Sequence, residues 1–297
     1  MRVLVTGGTG LLGYHLLSHL VSRGHEVYAT FHRSQPPPLE GVEWVPIDLE
    51  DPRGAETCLS RVKPEVVVHT AAYTDVDGCE TNRALAHRVN YLATSWLAGA
   101  AASAGAFLVY VSTDYVFDGE RGLYREDDIP APVNFYGLTK LLGEVAVASR
   151  LQERALIVRV SGLFGFSPTG KKNFGLIALE SLARGSAVNA FSDQYLSPTY
   201  VPFLAQRLVR AVERGVSGVL HLAGERASRV DFALMIAEAA GADKALVRPV
   251  PMGSAKLVAR RPRDSSLDTS KASSLGLAMP PLRECVEHFV KSYREVV

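Results

Sequence analysis

Thr6-Gly7-Gly8-Thr9-Gly10-Leu11-Leu12-Gly13 is the stretch that decides the fold. It follows the apolar run Val3-Leu4-Val5 and opens a segment, Leu11 to Val21, whose apolar residues recur three and four apart. The order is therefore strand, glycine turn, helix. Gly8, Gly10 and Gly13 stand at dinucleotide-binding spacing. Gly8 is expected to permit the tight turn, Gly10 to let backbone approach a pyrophosphate, and Gly13 to let helix pack on strand. Gly7, Leu11 and Leu12 complete the cradle, in which a helix N-terminus offers unpaired N–H groups to phosphates.

The second strand, Glu26-Val27-Tyr28-Ala29-Thr30, ends where an NAD site usually carries an acid for the ribose 2′-hydroxyl, about 20 residues beyond the glycines. This chain has Thr30-Phe31-His32-Arg33-Ser34 there. With no carboxylate at that end, Thr30 and His32 line an expected NADP(H) site whose 2′-phosphate Arg33 neutralises. NAD(H) is the second choice of cofactor. Further strand-like runs follow at Glu43 to Ile47, Val66 to His69, Phe107 to Val111 and Leu156 to Val160, with helical stretches between them. Near-continuous apolar strands in that alternation imply an α/β fold, a Rossmann-type doubly wound parallel sheet covered on both faces.

Beyond Val160 the alternation loosens. A helix is expected over 173–184, a loop through 192–199, then a helix over 201–214 and a strand over 219–222 that return to the main sheet. The expected division is a dinucleotide-binding domain, 1–160 with 201–224 returning to it, and a smaller C-terminal substrate lobe drawn mainly from 161–297. Ligands in open parallel sheets bind beyond the carboxyl ends of the strands, so that lobe closes the substrate cleft.

Composition excludes several classes of function. The chain has 297 residues, 47% hydrophobic and 21% charged, and its net charge of +1 supplies no field for nucleic acid or membrane. Cys58, Cys79 and Cys285 are far apart and lack metal-ligand spacing, which suits buried or inert thiols in a reducing compartment; no metal is expected. Met1 leads straight into the first strand, and no apolar run approaches the roughly 18 residues of a membrane span. A cytoplasmic protein is expected, with a homodimer compatible with the sequence.

The chemistry is expected at the strand ends. In Tyr136-Gly137-Leu138-Thr139-Lys140 the phenol and the ammonium share a helix face at i and i+4, so the lysine is expected to sit beside the tyrosine and lower its pKa from about 10. Thr113, after the fifth strand, can donate to a carbonyl oxygen alongside Tyr136, and the two donors together stabilise a developing alkoxide. Asp48 can accept from an adenine amino group while Leu49 packs on the ring, and Thr70-Ala71-Ala72-Tyr73 lets backbone pass close to a cofactor.

These residues together resemble the extended short-chain dehydrogenase/reductase family and, within it, the dTDP-4-dehydrorhamnose reductases. The resemblance runs through Thr6 to Gly13, Ala71-Ala72-Tyr73-Thr74, Ser112-Thr113-Asp114-Tyr115-Val116-Phe117, Tyr136 to Lys140, Asn173-Phe174, Asp193-Gln194, Ser197-Pro198-Thr199 and Arg261-Pro262. It implies an NADPH-dependent reductase of a 4-keto-6-deoxy sugar nucleotide in dTDP-L-rhamnose biosynthesis. Tyr136 would be the acid, Lys140 the ribose contact and phenol activator, Thr113 the carbonyl contact. Thr74, Asp114, Tyr115, Asn173 and Arg261 would hold the sugar nucleotide, and Lys171, Lys172, Arg260 and Arg261 are candidate cations for its diphosphate.

One departure concerns Gly162, which stands where such reductases usually carry an aromatic; Phe164 or Tyr195 is expected to compensate, and Gly162→Trp to sharpen selectivity. Asp114-Tyr115 argues against a dehydratase, which would show Asp-Glu, and the missing acid after the second strand argues against a tightly NAD-bound epimerase. The family also resembles the NADP-binding regulatory subunit of methionine adenosyltransferase, which leaves a non-catalytic partner as an alternative.

Overall fold

Val66-Val67-Val68-His69 is apolar at nearly every position because both of its faces are covered: all of its residues are buried, at the centre of a parallel sheet. The computed structural model describes residues 1–32 and 34–295, so the expected role of Arg33 lies outside the described residues. The strands are β1 (Arg2–Thr6), β2 (Glu26–Phe31), β3 (Val42–Pro46), β4 (Val66–His69), β5 (Phe107–Thr113), β6 (Ala155–Val160), β7 (Leu163–Phe164), β8 (Val188–Phe191), β9 (Tyr195–Leu196), β10 (Thr199–Tyr200), β11 (Gly218–His221), β12 (Ala227–Ser228) and β13 (Val247–Val250). Seven of them form one parallel sheet in the order β11-β6-β5-β4-β1-β2-β3. The α/β class and the doubly wound sheet read from the sequence are thus present. The small two-stranded pairs β7–β10, β8–β13 and β9–β12 were not legible, because strands of two to four residues carry no usable period.

The helices are α1 (Leu11–Ser22), α2 (Gly54–Val62), α3 (Val76–Thr81), α4 (Arg83–Ala86), α5 (Ala93–Ala104), α6 (Phe135–Leu151), α7 (Phe174–Ala183), α8 (Val201–Glu213), α9 (Arg229–Ala240), α10 (Ser270–Ser274) and α11 (Leu282–Arg294). One sheet face buries Leu16, Leu17 and Leu20 of α1 against Leu204 and Leu208 of α8. The other face buries Leu59 of α2, Leu97 of α5 and Val147 of α6. Each such aliphatic side chain contributes about 1.5–3 kcal/mol on burial. A third cluster packs Phe164, Leu179, Phe232 and Phe289 among α7, α9 and α11.

Placement of α6 is the part that matters for chemistry. Its N-cap, Asn134, accepts from Gly137 N at 2.8 Å and donates to Arg260 O at 2.9 Å, tying the helix start to the C-terminal part of the chain. At Gly143 a Cβ would lie 2.2 Å from Tyr110 Oη and 2.7 Å from Cζ, so only glycine lets α6 lie this close to β5. Gly143→Ala should therefore lose about 1–3 kcal/mol of stability in urea unfolding, with loss of turnover as α6 is displaced. A variant as stable as the parent would mean that the helix is not held there.

Candidate active site

The carboxyl ends of β1, β4, β5 and β6 open into a cavity of about 650 Å³, a size suited to a cofactor and a small substrate. At one end lies the glycine turn. Gly7, with φ +72°, is the residue whose left-handed backbone makes the tight turn, and a Cβ on it would stand 2.8 Å from Ala71 Cα. The sequence reading gave that task to Gly8, which instead packs on Ala29 and Trp44. At Gly13 a Cβ would fall 2.2 Å from Gly7 O, whereas at Gly10 a Cβ would meet, among the described residues, that same carbonyl alone within 4 Å, at 3.1 Å. Gly10 caps α1 without a side-chain bond, and among the described residues the N–H groups of Leu11, Leu12 and Gly13 find no acceptor. Unpaired donors at a helix start, beside an open glycine face, fit the pyrophosphate of a dinucleotide.

Most of the other expected cofactor residues line the same cavity: Thr30, His32, Asp48, Leu49, Ala71 and Ala72. His32 Nε2 stands 3.7 Å from Asp48 Oδ2, and Asp48 accepts from Glu50 N in a loop turn. Tyr73 does not line the cavity; its backbone N–H and carbonyl are both taken by the buried Asn90 side chain.

Tyr136, Lys140 and Thr113 meet in the middle. Lys140 is buried, donates to Val111 O at 2.8 Å and lies over the Tyr110 ring at 4.1 Å. Burial pulls its ammonium down to about 7, opposed by the charge of Glu144. The expected lowering of the phenol is not found. Burial pushes Tyr136 above its ordinary value, offset in part by the Thr113 hydroxyl. The physical reason is direction: sharing a helix face does not bring the charge to the phenol when the lysine is bonded to the sheet.

Another part of the cavity wall is built around Asp114, Tyr115, Gln194 and Arg229. Asp114 is buried and accepts from Ser161 Oγ at 2.8 Å, Ser265 Oγ at 2.5 Å and Thr113 Oγ1 at 3.0 Å. Burial nevertheless raises its carboxyl above the usual range. Thr74 and Asn173 also line the cavity, although the Asn173 amide is used to cap α7 and to hold Gly165 O. Arg261 does not line it; its guanidinium is taken by Asp77 at 2.9 Å and by Ala259 O. Arg260 pairs with Glu120, whereas Lys171 and Lys172 do reach the cavity rim, Lys172 paired with Glu180.

The cation missed by sequence reasoning is Arg229. It is the first residue of α9, set by the Ser228–Asp231 capping box, and its Nε donates to Gln194 Oε1 at 2.6 Å. The only signal available was Ser228-x-x-Asp231, which marks a helix start and not a site. Gly162 has φ +51°, and a Cβ there would lie 2.3 Å from Leu196 Cδ1. Leu196 therefore occupies the room of a larger side chain. Phe164 is fully buried in the lateral core and Tyr195 is not among the lining residues, so neither compensates.

Asp114 gives a pH prediction. Its raised folded pKa means that it adds stability below the unfolded value of about 4, and that this is lost as pH rises through the folded value. Asp114→Asn cannot ionise, so its stability relative to the parent should increase as pH rises above about 4 in urea titrations. A difference independent of pH would show that Asp114 titrates normally.

Comparison with known proteins agrees with this architecture. The RmlD substrate binding domain family matches residues 1–295. A dTDP-4-dehydrorhamnose reductase of Mycobacterium tuberculosis is 38% identical over 289 residues, covering 95% of this chain and 89% of its own. Methionine adenosyltransferase 2 subunit beta of Pongo abelii is 34% identical, covering 93% and 83% respectively. The crystal structure of dTDP-4-dehydrorhamnose reductase from Bacillus anthracis in complex with NADP superposes with a TM-score of 0.84 at 30% identity, over 98% of this chain and 99% of that one. With the glycine turn, the parallel sheet and the strand-end cavity all in place, the chain belongs to the RmlD substrate binding domain family.

Proposed function

We propose that this NAD(P)-dependent oxidoreductase uses NADPH to reduce the 4-keto group of a 6-deoxy sugar nucleotide, with dTDP-4-dehydrorhamnose as the first candidate and dTDP-L-rhamnose formation as the setting. The observation that carries the reading is the meeting of the Thr113 hydroxyl, the Tyr136 phenol and Lys140 in one cavity with the glycine turn. A bound reduced nicotinamide supplies hydride to the carbonyl carbon. The protein supplies the rest. Tyr136 and Thr113 hold the carbonyl oxygen, the Thr113 hydroxyl turning its one proton from Asp114 to the substrate, and Tyr136 gives the oxygen a proton as negative charge develops there. The elevated phenol pKa suits an acid that stays protonated at neutral pH and releases its proton only to the much more basic alkoxide oxygen.

Lys140 serves the ribose; bonded to the Val111 carbonyl, it makes no direct bond to the phenol in the described arrangement. Leu11, Leu12 and Gly13 take the pyrophosphate, and Ala71 and Ala72 border the nicotinamide half. Asp114 and Tyr115 orient the sugar, while Arg229, held by Gln194, and the rim lysine Lys171 are the cations for the sugar-nucleotide diphosphate. Residues 161–297 serve mainly this substrate end.

The likeness to the methionine adenosyltransferase subunit favours a second reading, an NADP-binding partner protein without turnover. NADPH oxidation over a panel of 4-keto sugar nucleotides separates the two: turnover supports the reductase, and tight NADPH binding with no turnover on any of them supports the partner. Tyr136→Phe should lower kcat by ~10²–10⁴-fold and leave the NADPH Kd nearly unchanged, because only the proton donor is lost. A variant retaining most of the parent's turnover would remove Tyr136 from the acid role. Gly162→Trp, which sequence reasoning expects to sharpen selectivity, should instead lose stability and turnover together through its strained backbone and its collision with Leu196. Improved discrimination in a well-folded variant would contradict that.

A further inference from the structure

The reaction outlined above leaves one group of buried charges without a part. Glu144 lies one helical turn beyond Lys140 on α6 and is itself buried. Arg159 of β6 grips both of its oxygens, Nε to Oε1 at 3.0 Å and Nη2 to Oε2 at 2.8 Å, and Ser112 of β5 donates to Oε1 at 2.5 Å. Ser112 stands between Val111, whose carbonyl holds Lys140, and Thr113. Arg159 also donates to Glu126 O and meets His221 Nε2 at 3.4 Å. A surface helix needs no such cluster, and an ion pair taken out of water is a poor source of stability.

We propose that Glu144 is a positioning residue for Lys140: clamped by Arg159 and Ser112, its carboxylate keeps the neighbouring lysine in its ammonium form and fixes the end of β5 that carries Thr113. This rests on the reductase reading for its use in catalysis, but not for its existence. The groups around the lysine favour that assignment. From α6 come Tyr136 and Glu144; from β5 the Tyr110 ring, the Val111 carbonyl and Ser112; from β4 His69; from β6 Arg159, behind the carboxylate. His69 is held neutral by burial, pushed down to about 3, and burial also pushes His221 down to about 4. Among these groups Glu144 is the one whose charge opposes the desolvation of Lys140.

The sign follows. Desolvation alone would neutralise Lys140 at lower pH; the carboxylate moves that loss of charge upward, and NADPH affinity and kcat should both fall as pH rises through the Lys140 midpoint. The direct test is a pH titration of the protein without cofactor by ¹³C NMR, with lysine labelled at Cε and the Lys140 signal assigned by its loss in Lys140→Ala. In Glu144→Gln the midpoint should drop by about one pH unit or more, whereas Glu144→Asp, which keeps the charge, should retain most of the parent value. The NADPH Kd should begin to rise at correspondingly lower pH in Glu144→Gln.

Glu144→Gln leaves the buried guanidinium without a counter-charge. Should that variant not fold, Glu144→Leu with Arg159→Met removes both charges together and carries the same test, since of the two charges the acid is the one that acts on Lys140. Unchanged midpoints in folded charge-removing variants would overturn the proposal and reduce the cluster to a structural tie. Failure of the reductase reading appears elsewhere, as absence of keto-sugar turnover in the parent, and leaves the NMR result standing.

Discussion

Everything chemical in this protein depends on how close α6 lies to the end of β5. Glycine at 143 admits the Tyr110 hydroxyl, Lys140 is drawn onto the Val111 carbonyl, and Glu144 is tied to Ser112 one residue before Thr113. These contacts are short, buried and in register along both elements. A charge-assisted bond such as that from Lys140 is worth about 1.5–3 kcal/mol, so the tie resists slippage of the helix along the strand. With α6 fixed, the Tyr136 phenol at its first turn and the Thr113 hydroxyl at the strand end converge without any further device.

The two ends of the cavity are then supplied by different kinds of structure. The cofactor end is made of backbone: a left-handed glycine, a helix start with free N–H groups, and small residues after β4. The part proposed to take the substrate is made of side chains that hold one another, with Asp114 taking three hydroxyls and Arg229 resting on Gln194. Backbone recognition tolerates changes of side chain around it. Side-chain networks do not, and this is where relatives of one fold can come to differ in what they bind.

The same contrast explains what could be read in the sequence. Strand periodicity, the glycine turn and the Tyr136/Lys140 spacing are local signals, and the sheet, α1 and the meeting of Thr113 with Tyr136 were legible from them. Arg229 was not, because it reaches the cavity only through a helix start 93 residues from Tyr136 in the chain. Arg261 looked like a substrate cation, and only the fold brings Asp77 to it, 184 residues away. The i to i+4 spacing correctly put Lys140 on the Tyr136 side of α6, yet the acceptor it chose was a carbonyl on β5, which spacing within a helix cannot announce. Gly162 read as a missing contact; the left-handed backbone and Leu196 make it a filled position instead.

Transfer of label from the cofactor is the most direct measurement. NADPH carrying deuterium on the transferable face of C4 should place that deuterium on C4 of the sugar when mixed with dTDP-4-dehydrorhamnose, as seen by NMR of the isolated product. Deuterium retained in a tightly bound cofactor, with the keto sugar recovered unchanged, would contradict the reductase and leave a dinucleotide-binding partner protein.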